Sequence, residues 1–362
     1  MVAAGPTSAP GSERWRRPPS PLRTLVACGW LTEAQAKDPR VRVDSLVRSH
    51  AVVRVVAPDG RAAIVKHPTH SGMANGRHMH REFFAYRLAG WMEAMAAVLP
   101  RAVLIDERRG ILVLESLSTA SSWPSYDALV PIGTRGVSAQ LASAMARWFR
   151  ATTGLASWPS IAEGVLHLPD AVEMAVEQRS PAGQAHMRAL AADADIAAAL
   201  RDARSLYRPL CLIHGDLRCD NWMWDHGRSP PRLAIFDWEM CGTGDPAWDI
   251  ASVFAESVVD VIRGGTDLPR SANGWPAATE LVVREFLPAY RAAAGPLDAG
   301  DAREWDRLVL FAAARLAHVA CEWVEAEGTA DGPATAAVLA HARWLLDRRK
   351  PAASLVRECY GG

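Results

Sequence analysis

The sequence has no excess of charge of either sign. Of its 362 residues, 40 are Lys or Arg and 40 are Asp or Glu, so the formal net charge is zero. A balanced charge gives no long-range attraction to nucleic acid or to an acidic membrane surface. No apolar run reaches the ~18 residues of a transmembrane helix, and no apolar core of an export signal follows the N-terminal arginines. The composition predicts a globular cytoplasmic protein with neither a nucleic-acid nor a membrane partner.

Several local motifs are also missing. The six cysteines form no Cys-x-x-Cys pair and have no zinc-finger spacing, which indicates reduced thiols. No Gly-x-x-x-x-Gly-Lys-Ser/Thr motif occurs, so the P-loop class is excluded. The turn between the first two predicted strands, Arg48-Ser49-His50, has no glycine. Loops that cover nucleotide phosphates usually carry glycines so that backbone N–H groups can approach the phosphates closely. The absence of glycine from this turn is therefore an argument against a loop that closes tightly over a nucleotide.

The residues that carry chemistry concentrate between positions 209 and 251. Short apolar runs separated by polar segments predict three strands in this stretch. The first run ends in a His-Gly-Asp triplet whose last residue is Asp216. A loop leads from there to Asn221, and the last run ends at Asp237. The pattern therefore places polar side chains where strands end.

These residue types suit phosphoryl transfer to an alcohol. That reaction needs a carboxylate to accept or orient the hydroxyl proton, and Mg²⁺ to neutralise the phosphates. Asp216 offers the carboxylate. Mg²⁺ takes one or two protein oxygen ligands besides phosphates and water, and Asn221 and Asp237 offer such oxygens. Arg218, two residues after Asp216, is placed to donate to the transferred phosphoryl group.

Each of these residues alone is common in the loops of unrelated proteins, but the whole set is not. A His-Gly-Asp triplet with Asn five residues later arises by chance in about one chain of this length in a thousand. A strand ending in Asp237 follows, and then Gly244-Asp245-Pro246 with Asp249. The stretch resembles the catalytic core of the aminoglycoside phosphotransferase and choline kinase family, which shares the protein-kinase-like fold.

The resemblance implies a role for each matching residue. Asp216 would be the catalytic aspartate, and Asn221 and Asp237 would hold Mg²⁺. His214 and Asp249 would support the catalytic loop. The resemblance also implies an Mg²⁺-dependent enzyme with ATP as the phosphoryl donor and GTP as the alternative.

The N-terminal part of the chain adds four nucleotide-binding candidates. Lys66 closes a predicted strand, and Glu82 lies in the helix that follows. In kinase-like folds such a lysine pairs with such a glutamate and holds the nucleotide phosphates. A later strand leads into the segment that joins the lobes, where backbone groups of Glu115 and Leu117 would meet the adenine.

The fold implied by this resemblance is a two-lobed, protein-kinase-like α+β structure. We expect a disordered tail at 1–22, a nucleotide-binding lobe of antiparallel strands with one helix at 23–117, and a mostly helical catalytic and acceptor-binding lobe at 118–362. The nucleotide would lie in the cleft between the lobes. Apolar periodicity predicts strands at 51–56 and 102–106, and helix-like segments at 170–206, 246–263 and 300–327.

The acceptor is predicted from weaker signals. Asp-Trp-Glu at 237–239 and Gly-Asp-Pro-Ala-Trp-Asp at 244–249 are similar to kinase-like proteins of peptide natural-product pathways, including class V lanthipeptide and thioamitide maturation. That likeness implies a Ser or Thr of a precursor peptide (a RiPP precursor) as acceptor, and a partner lyase that eliminates the phosphate.

Two alternatives stay open. One is an antibiotic kinase that phosphorylates an aminoglycoside or a similar small molecule. Such a kinase binds its cationic acceptor through acidic residues of C-terminal helices, and Glu322, Glu325 and Glu327 form one acidic cluster here. A solvated helix end is the simpler explanation of that cluster. The other alternative is a nucleotide-binding pseudokinase that serves as a scaffold for a partner enzyme.

Overall fold

The computed structural model describes residues 20–46, 51–67, 73–117, 136–155, 162–177, 179–225, 232–265, 270–271, 274–294, 303–330 and 332–361. These residues divide into two compact units. One contains those of Met1–Phe83 and Arg101–Thr119, and the other those of Phe84–Pro100 and Ala120–Gly362. The glycine-free turn at 48–50 and residues 1–19 of the predicted tail lie outside the described residues, and the boundaries drawn at 22 and 117 stay predictions.

The first unit is built on an antiparallel sheet. Its five strands have the order β1-β2-β3-β5-β4, with bounds β1 Arg42–Ser45, β2 Ala51–Val56, β3 Ala62–His67, β4 Ala102–Asp106 and β5 Ile111–Glu115. Gly60, with φ of 85°, provides the left-handed backbone of the turn between β2 and β3. Two short helices precede the sheet, α1 Pro21–Ala27 and α2 Glu33–Ala36.

The core of this unit lies between α1 and one face of the sheet. Leu25 of α1 packs with Val55 of β2, Val65 of β3 and Val113 of β5, all of them at most 1% exposed. Alternate residues of a strand point to the same face, so the valine-rich strands bury one continuous apolar surface under the helix. α1 begins inside the segment that we predicted as tail.

The second unit is mostly helical. Its helices are α4 Glu93–Ala96, α5 Val137–Thr152, α6 Leu168–Val176, α7 Pro181–Ala192, α8 Ala194–Leu206, α9 Pro246–Arg263, α10 Ala277–Ala294, α11 Arg303–Glu327, α12 Pro333–Asp347 and α13 Arg349–Gly361. α3, Met73–Ala89, is divided between the two units. No helix in the described part of the chain is long and apolar enough to cross a membrane. With the antiparallel sheet, these helices confirm the predicted α+β class.

Two small antiparallel ladders lie among these helices and carry the candidate site. β6 Cys211–Ile213 pairs with β9 Gly242–Gly244, and β7 Trp222–Asp225 pairs with β8 Arg232–Ile235. α9 follows β9 directly and packs against α11. Polar residues of α9 and α11 therefore come close to the loops at the ends of these ladders.

Candidate active site

The His-Gly-Asp triplet forms a tight turn directly after β6. Gly215 has φ of 84°, a left-handed conformation that favours glycine. β6 pairs with β9 so closely that a Cβ on Gly244 would collide with the side chain of Ile213. A larger residue at Gly244 would therefore force the side chains of Ile213 and Tyr207 to move. The close approach of the two strands positions the turn and, with it, Asp216.

Asp249 of α9 braces this turn. Its carboxylate accepts hydrogen bonds from the backbone N–H groups of His214, at 2.6 Å, and Gly215, at 2.9 Å. Trp248 donates its indole N–H to the carbonyl of Gly215 at 3.3 Å. Burial raises the pKa of Asp249 to about 7, although both backbone donors oppose that shift. Asp249 therefore contacts the turn directly, and its contribution to the function of the site stays a prediction.

His214 supports the same loop from inside. Its Nε2 lies 3.0 Å from the carbonyl of Phe236, and the backbone N–H of Asp216 donates to its Nδ1 at 3.2 Å. Burial lowers the pKa of His214. A neutral ring that is protonated at Nε2 satisfies both contacts, so His214 ties the turn to the end of β8 without carrying charge.

The Asp216 carboxylate is held on both oxygens. Oδ1 accepts a hydrogen bond from Nη2 of Arg315 on α11 at 2.8 Å, and Oδ2 lies 3.3 Å from Nδ2 of Asn221. Burial raises the pKa of Asp216, but the charges of Arg315 and Arg218 outweigh that effect and hold it below its usual value. Asp216 is consequently an ionised carboxylate, 22% exposed, in a fixed orientation.

Asn221 and Asp237 come together at one end of the β7–β8 ladder. The backbone N–H of Phe236 donates to the carbonyl of Asn221 at 3.0 Å, and Asp237 is the next residue. Asp237 has φ of 66°, the only positive φ outside glycine in the described part of the chain. Asp tolerates this conformation better than most residues. Such strain is commonly found at functional sites.

The oxygen donors at this end suit Mg²⁺. Nδ2 of Asn221 donates to the backbone carbonyl of Asp216 at 2.8 Å, so the amide oxygen is the Asn221 atom that could bind a metal ion. The amide oxygen of Asn221 and a carboxylate oxygen of Asp237 together match the one or two protein ligands that Mg²⁺ usually takes. No group of three or more His, Cys, Asp or Glu side chains in the described residues could hold a metal ion. Mg²⁺ usually completes its coordination with phosphates and water.

In the first unit, Lys66 and Glu82 form a buried ion pair. Nζ of Lys66 on β3 lies 2.8 Å from both carboxylate oxygens of Glu82 on α3. The two side chains are 8% and 0% exposed. The pairing expected from the sequence is present, and its role in nucleotide binding stays a prediction.

The remaining two candidates of the first unit lie at the end of β5. Glu115 makes an ion pair with Arg101, and its backbone N–H donates to the carbonyl of Arg101 at 2.9 Å. That N–H is therefore not available to an adenine. Leu117 is half-buried. Adenine contacts by Glu115 and Leu117 stay a prediction.

Comparison with known proteins assigns the chain to a family. The model of the phosphotransferase enzyme family matches residues 40–303, well over half of the chain. The chain belongs to that family. A comparison with curated proteins gave no match. The prediction of a phosphotransferase is thus confirmed, whereas the narrower peptide-maturation subgroup is untested.

Solved structures of this family's fold show the same architecture. A choline/ethanolamine kinase family protein from Mesorhizobium loti is 18% identical, with 92% of this chain and 99% of that chain covered and a TM-score of 0.54. Choline kinase LicA from Streptococcus pneumoniae is 17% identical, with coverage of 90% and 96% and a TM-score of 0.53. A choline kinase from Cryptosporidium parvum Iowa II is 11% identical, with coverage of 92% and 99% and a TM-score of 0.55. These similarities confirm the kinase-like fold.

Sequence analysis missed part of this phosphotransferase site. Arg315 was not singled out within the helix-like segment at 300–327, yet its side chain is only 1% exposed and contacts Asp216. Glu256 of α9 was not singled out either. It is equally buried, and it accepts a hydrogen bond from the backbone N–H of Cys219 at 3.2 Å. Both residues are charged and have mostly apolar neighbours in their helices, and this pattern could have indicated a buried charge in each case.

The predicted C-terminal acidic cluster is dispersed. Glu325 accepts hydrogen bonds from the N–H and the hydroxyl of Ser180, both at 2.9 Å, at the start of α7. Glu327 lies beside Gly332. Glu322 alone reaches the candidate site, where its carboxylate is 3.3 Å from Nη1 of Arg218. The solvated helix end that we considered for all three is wrong for Glu322 and Glu325.

Cys219 lies inside the catalytic loop, and its thiol is not a free nucleophile. Its Sγ is 3.0 Å from Oδ2 of Asp260, to which it donates. Burial and the nearby carboxylates raise its pKa well above the usual value. Cys219 therefore fixes the loop to α9 as a neutral thiol.

Replacing Lys66 tests the buried pair of the first unit. We expect Lys66→Met to lower the free energy of unfolding by about 3 kcal/mol, because it leaves the fully buried Glu82 without its cation. Chemical denaturation followed by tryptophan fluorescence measures this change. In the double variant Lys66→Met/Glu82→Leu most of the loss should be recovered, since no buried charge remains. Equal destabilisation of the single and double variants would contradict this account.

Proposed function

We propose that the protein transfers the γ-phosphoryl group of ATP, with GTP as the alternative donor, to an alcohol hydroxyl in an Mg²⁺-dependent reaction. The observation that carries this proposal is the braced His-Gly-Asp turn, which presents an ionised Asp216 beside Asn221 in a member of a phosphotransferase family. Phosphoryl transfer needs positioning and charge more than covalent participation by the protein. The turn supplies both.

The residues divide the work as follows. Asp216 accepts the hydrogen bond of the acceptor hydroxyl, orients its oxygen and takes its proton as the new O–P bond forms and the bond from the γ-phosphorus to the β,γ-bridging oxygen breaks, which releases ADP (or GDP). Asn221 and Asp237 would hold Mg²⁺, which supplies positive charge to the phosphate oxygens when it is bound. Arg218, whose side chain is 25% exposed beside Asp216, donates to the transferred phosphoryl group. The ion pair of Lys66 and Glu82 would hold the remaining phosphates.

For the acceptor we propose a Ser or Thr of a precursor peptide, with a partner lyase that then eliminates the phosphate. The support is the sequence likeness around 237–249 and the structural use of Glu325, which removes one carboxylate from a cation-binding surface. The alternative is a small-molecule acceptor. The choline kinases with similar folds favour testing choline, and the resemblance of the catalytic core to the aminoglycoside phosphotransferase and choline kinase family favours testing aminoglycosides.

Radiolabel transfer decides among these acceptors. We expect the purified chain, with Mg²⁺ and γ-labelled ATP, to label Ser/Thr-containing precursor peptides encoded near its gene, and to label choline and kanamycin far less. Peptides in which every Ser and Thr is replaced by Ala serve as the matched control. Label in the Ala-replaced peptides would show that the hydroxyl is not the acceptor.

Nucleotide binding is measured separately by calorimetry with ATP and GTP, with and without Mg²⁺. Binding that needs Mg²⁺ is the expected result. In the radiolabel assay, efficient labelling of choline or kanamycin would show that the acceptor is a small molecule rather than a peptide. Nucleotide binding without hydrolysis or transfer to any acceptor would instead identify a pseudokinase scaffold.

A further inference from the structure

Four carboxylates lie in or beside the loop that follows β6. They belong to Asp216 and Asp220 of the catalytic loop, Glu256 of α9 and Glu322 of α11. We call them the loop carboxylates. Taken alone, such a set suits an acceptor that carries amino groups, because ammonium groups bind to carboxylates through charge-assisted hydrogen bonds. The structure shows that these carboxylates are already engaged.

Arg315 contacts three of the four. Its Nη2 lies 2.8 Å from Asp216 and 3.8 Å from Glu256, and its Nη1 lies 3.8 Å from Glu322. Nη1 also lies 3.1 Å from Nδ1 of His318. The guanidinium is thus surrounded by acceptors from the loop and from both helices, and its side chain is only 1% exposed.

Two further arginines engage the rest. Arg218 lies 3.3 Å from both Asp220 and Glu322, and Arg263 lies 3.7 Å from Asp220. Every loop carboxylate therefore has an arginine within 4.0 Å. Both of these arginines are more exposed than Arg315, at 25% each.

An incoming ammonium group would have to compete with these arginines. Removing a carboxylate from a buried guanidinium leaves an uncompensated buried charge, which is strongly unfavourable. Adding an ammonium beside the guanidinium instead brings like charges together in a partly desolvated site. Arg315 cannot move into water to relieve either cost, since it is enclosed between α9, α11 and the loop.

We propose that Arg315 is a specificity-determining residue that closes the acceptor side of Asp216 to amine-bearing acceptors. The acceptor then presents its hydroxyl from a segment without ammonium groups, as an uncharged Ser or Thr side chain does. This inference rests on the proposed function, because it concerns the acceptor side of the same catalytic carboxylate.

The test measures the affinity of kanamycin, a polycationic probe, for four full-length proteins by calorimetry at low salt. These are the wild type, Arg315→Gln, Arg218→Gln and Arg343→Gln. Arg343 on α12 makes an exposed ion pair with Asp193 at 2.9 Å, so its replacement removes the same charge without opening the site. Arg218→Gln removes one of the two arginines beside each of Glu322 and Asp220, and it keeps the test possible if Arg315→Gln does not fold.

We expect kanamycin to bind the wild type and Arg343→Gln with dissociation constants above about 1 mM. Arg315→Gln and Arg218→Gln should bind it at least about tenfold more tightly, because carboxylates that have lost one arginine neighbour gain charged hydrogen bonds to the ammonium groups. That gain should disappear as salt rises. Tight binding by the wild type would overturn the proposal, and so would the absence of a gain in both opened variants.

Mg²⁺-dependent ATP binding is measured on the same wild-type sample. If the wild type did not bind ATP, the proposed function would be contradicted, whereas the conclusion from kanamycin binding would not be affected. If ATP binding were intact but neither Arg315→Gln nor Arg218→Gln bound kanamycin more tightly, only the proposed role of Arg315 would be contradicted. The two ideas can therefore fail separately.

Discussion

Replacing Asp216 by Asn should lower the turnover number by roughly 10²- to 10⁴-fold, the usual contribution of a general base. Asn keeps the shape of the side chain but cannot take the hydroxyl proton, and it presents an N–H group where a carboxylate oxygen lies 2.8 Å from Arg315. Nucleotide affinity should change little, because the base serves the acceptor. Steady-state transfer assays and calorimetry with ATP measure the two quantities.

The control for this change is Asp202→Asn on α8. Asp202 is exposed and makes an ion pair with Arg349 at 3.1 Å, so the same chemical change is made away from the site. Turnover of the control should stay within about twofold of the wild type, as for most surface changes. If Asp216→Asn retained wild-type turnover on the true acceptor, the assignment of the base would be wrong.

The second large effect is expected at Asp237. Asp237→Asn should reduce phosphoryl transfer by at least about a hundredfold, since the charge supplied by a bound metal is worth several kcal/mol. Asn is the informative replacement because, like Asp, it tolerates the left-handed backbone with φ of 66° at this position. A change in fold stability is therefore kept apart from a change in metal binding.

Titration of ATP with Mg²⁺ checks the role of Asp237. We expect the affinity for the Mg²⁺ complex to fall in Asp237→Asn, and that for ATP without metal to stay the same. Asn221→Ala should also lower turnover, but its effect combines two causes, because Nδ2 of Asn221 also holds the carbonyl of Asp216. Unchanged Mg²⁺-dependent binding in Asp237→Asn would rule out the metal-binding role.

Elements with strong local signals could be predicted from the sequence. β2, β4 and α9 have the predicted bounds, at 51–56, 102–106 and 246–263. In the two strands, runs of β-branched and other apolar residues lie between turns, and in α9 Pro246 stands at the first helical position after Asp245. The family motifs identified the residues around the turn, because their spacing follows from local backbone geometry.

Other elements depended on capping residues that we overlooked. The single helical segment predicted at 170–206 is three helices, α6, α7 and α8. Ser180 caps α7 and is followed by Pro181, while Asp193 caps α8 by accepting from two backbone N–H groups. Apolar periodicity continues across these caps, so periodicity alone joins what the caps separate.

The rest of the site depends on contacts between distant parts of the chain. β9, with the sequence Gly-Thr-Gly, has no apolar pattern and forms a strand only because β6 lies beside it. Arg315 is 99 residues from Asp216 in sequence. Neither spacing nor propensity links such residues, and only the packing of α9 against α11 brings them to the catalytic loop.

The buried thiol of Cys219 has a consequence for chemical labelling. Thiolates, rather than thiols, react with alkylating reagents, and this thiol is 2% exposed with a raised pKa. Cys211, one strand away from the turn, is 1% exposed and its pKa is also raised by burial. Loss of activity in the presence of a maleimide or iodoacetamide would therefore report modification elsewhere or prior unfolding, and would not be evidence for a catalytic cysteine.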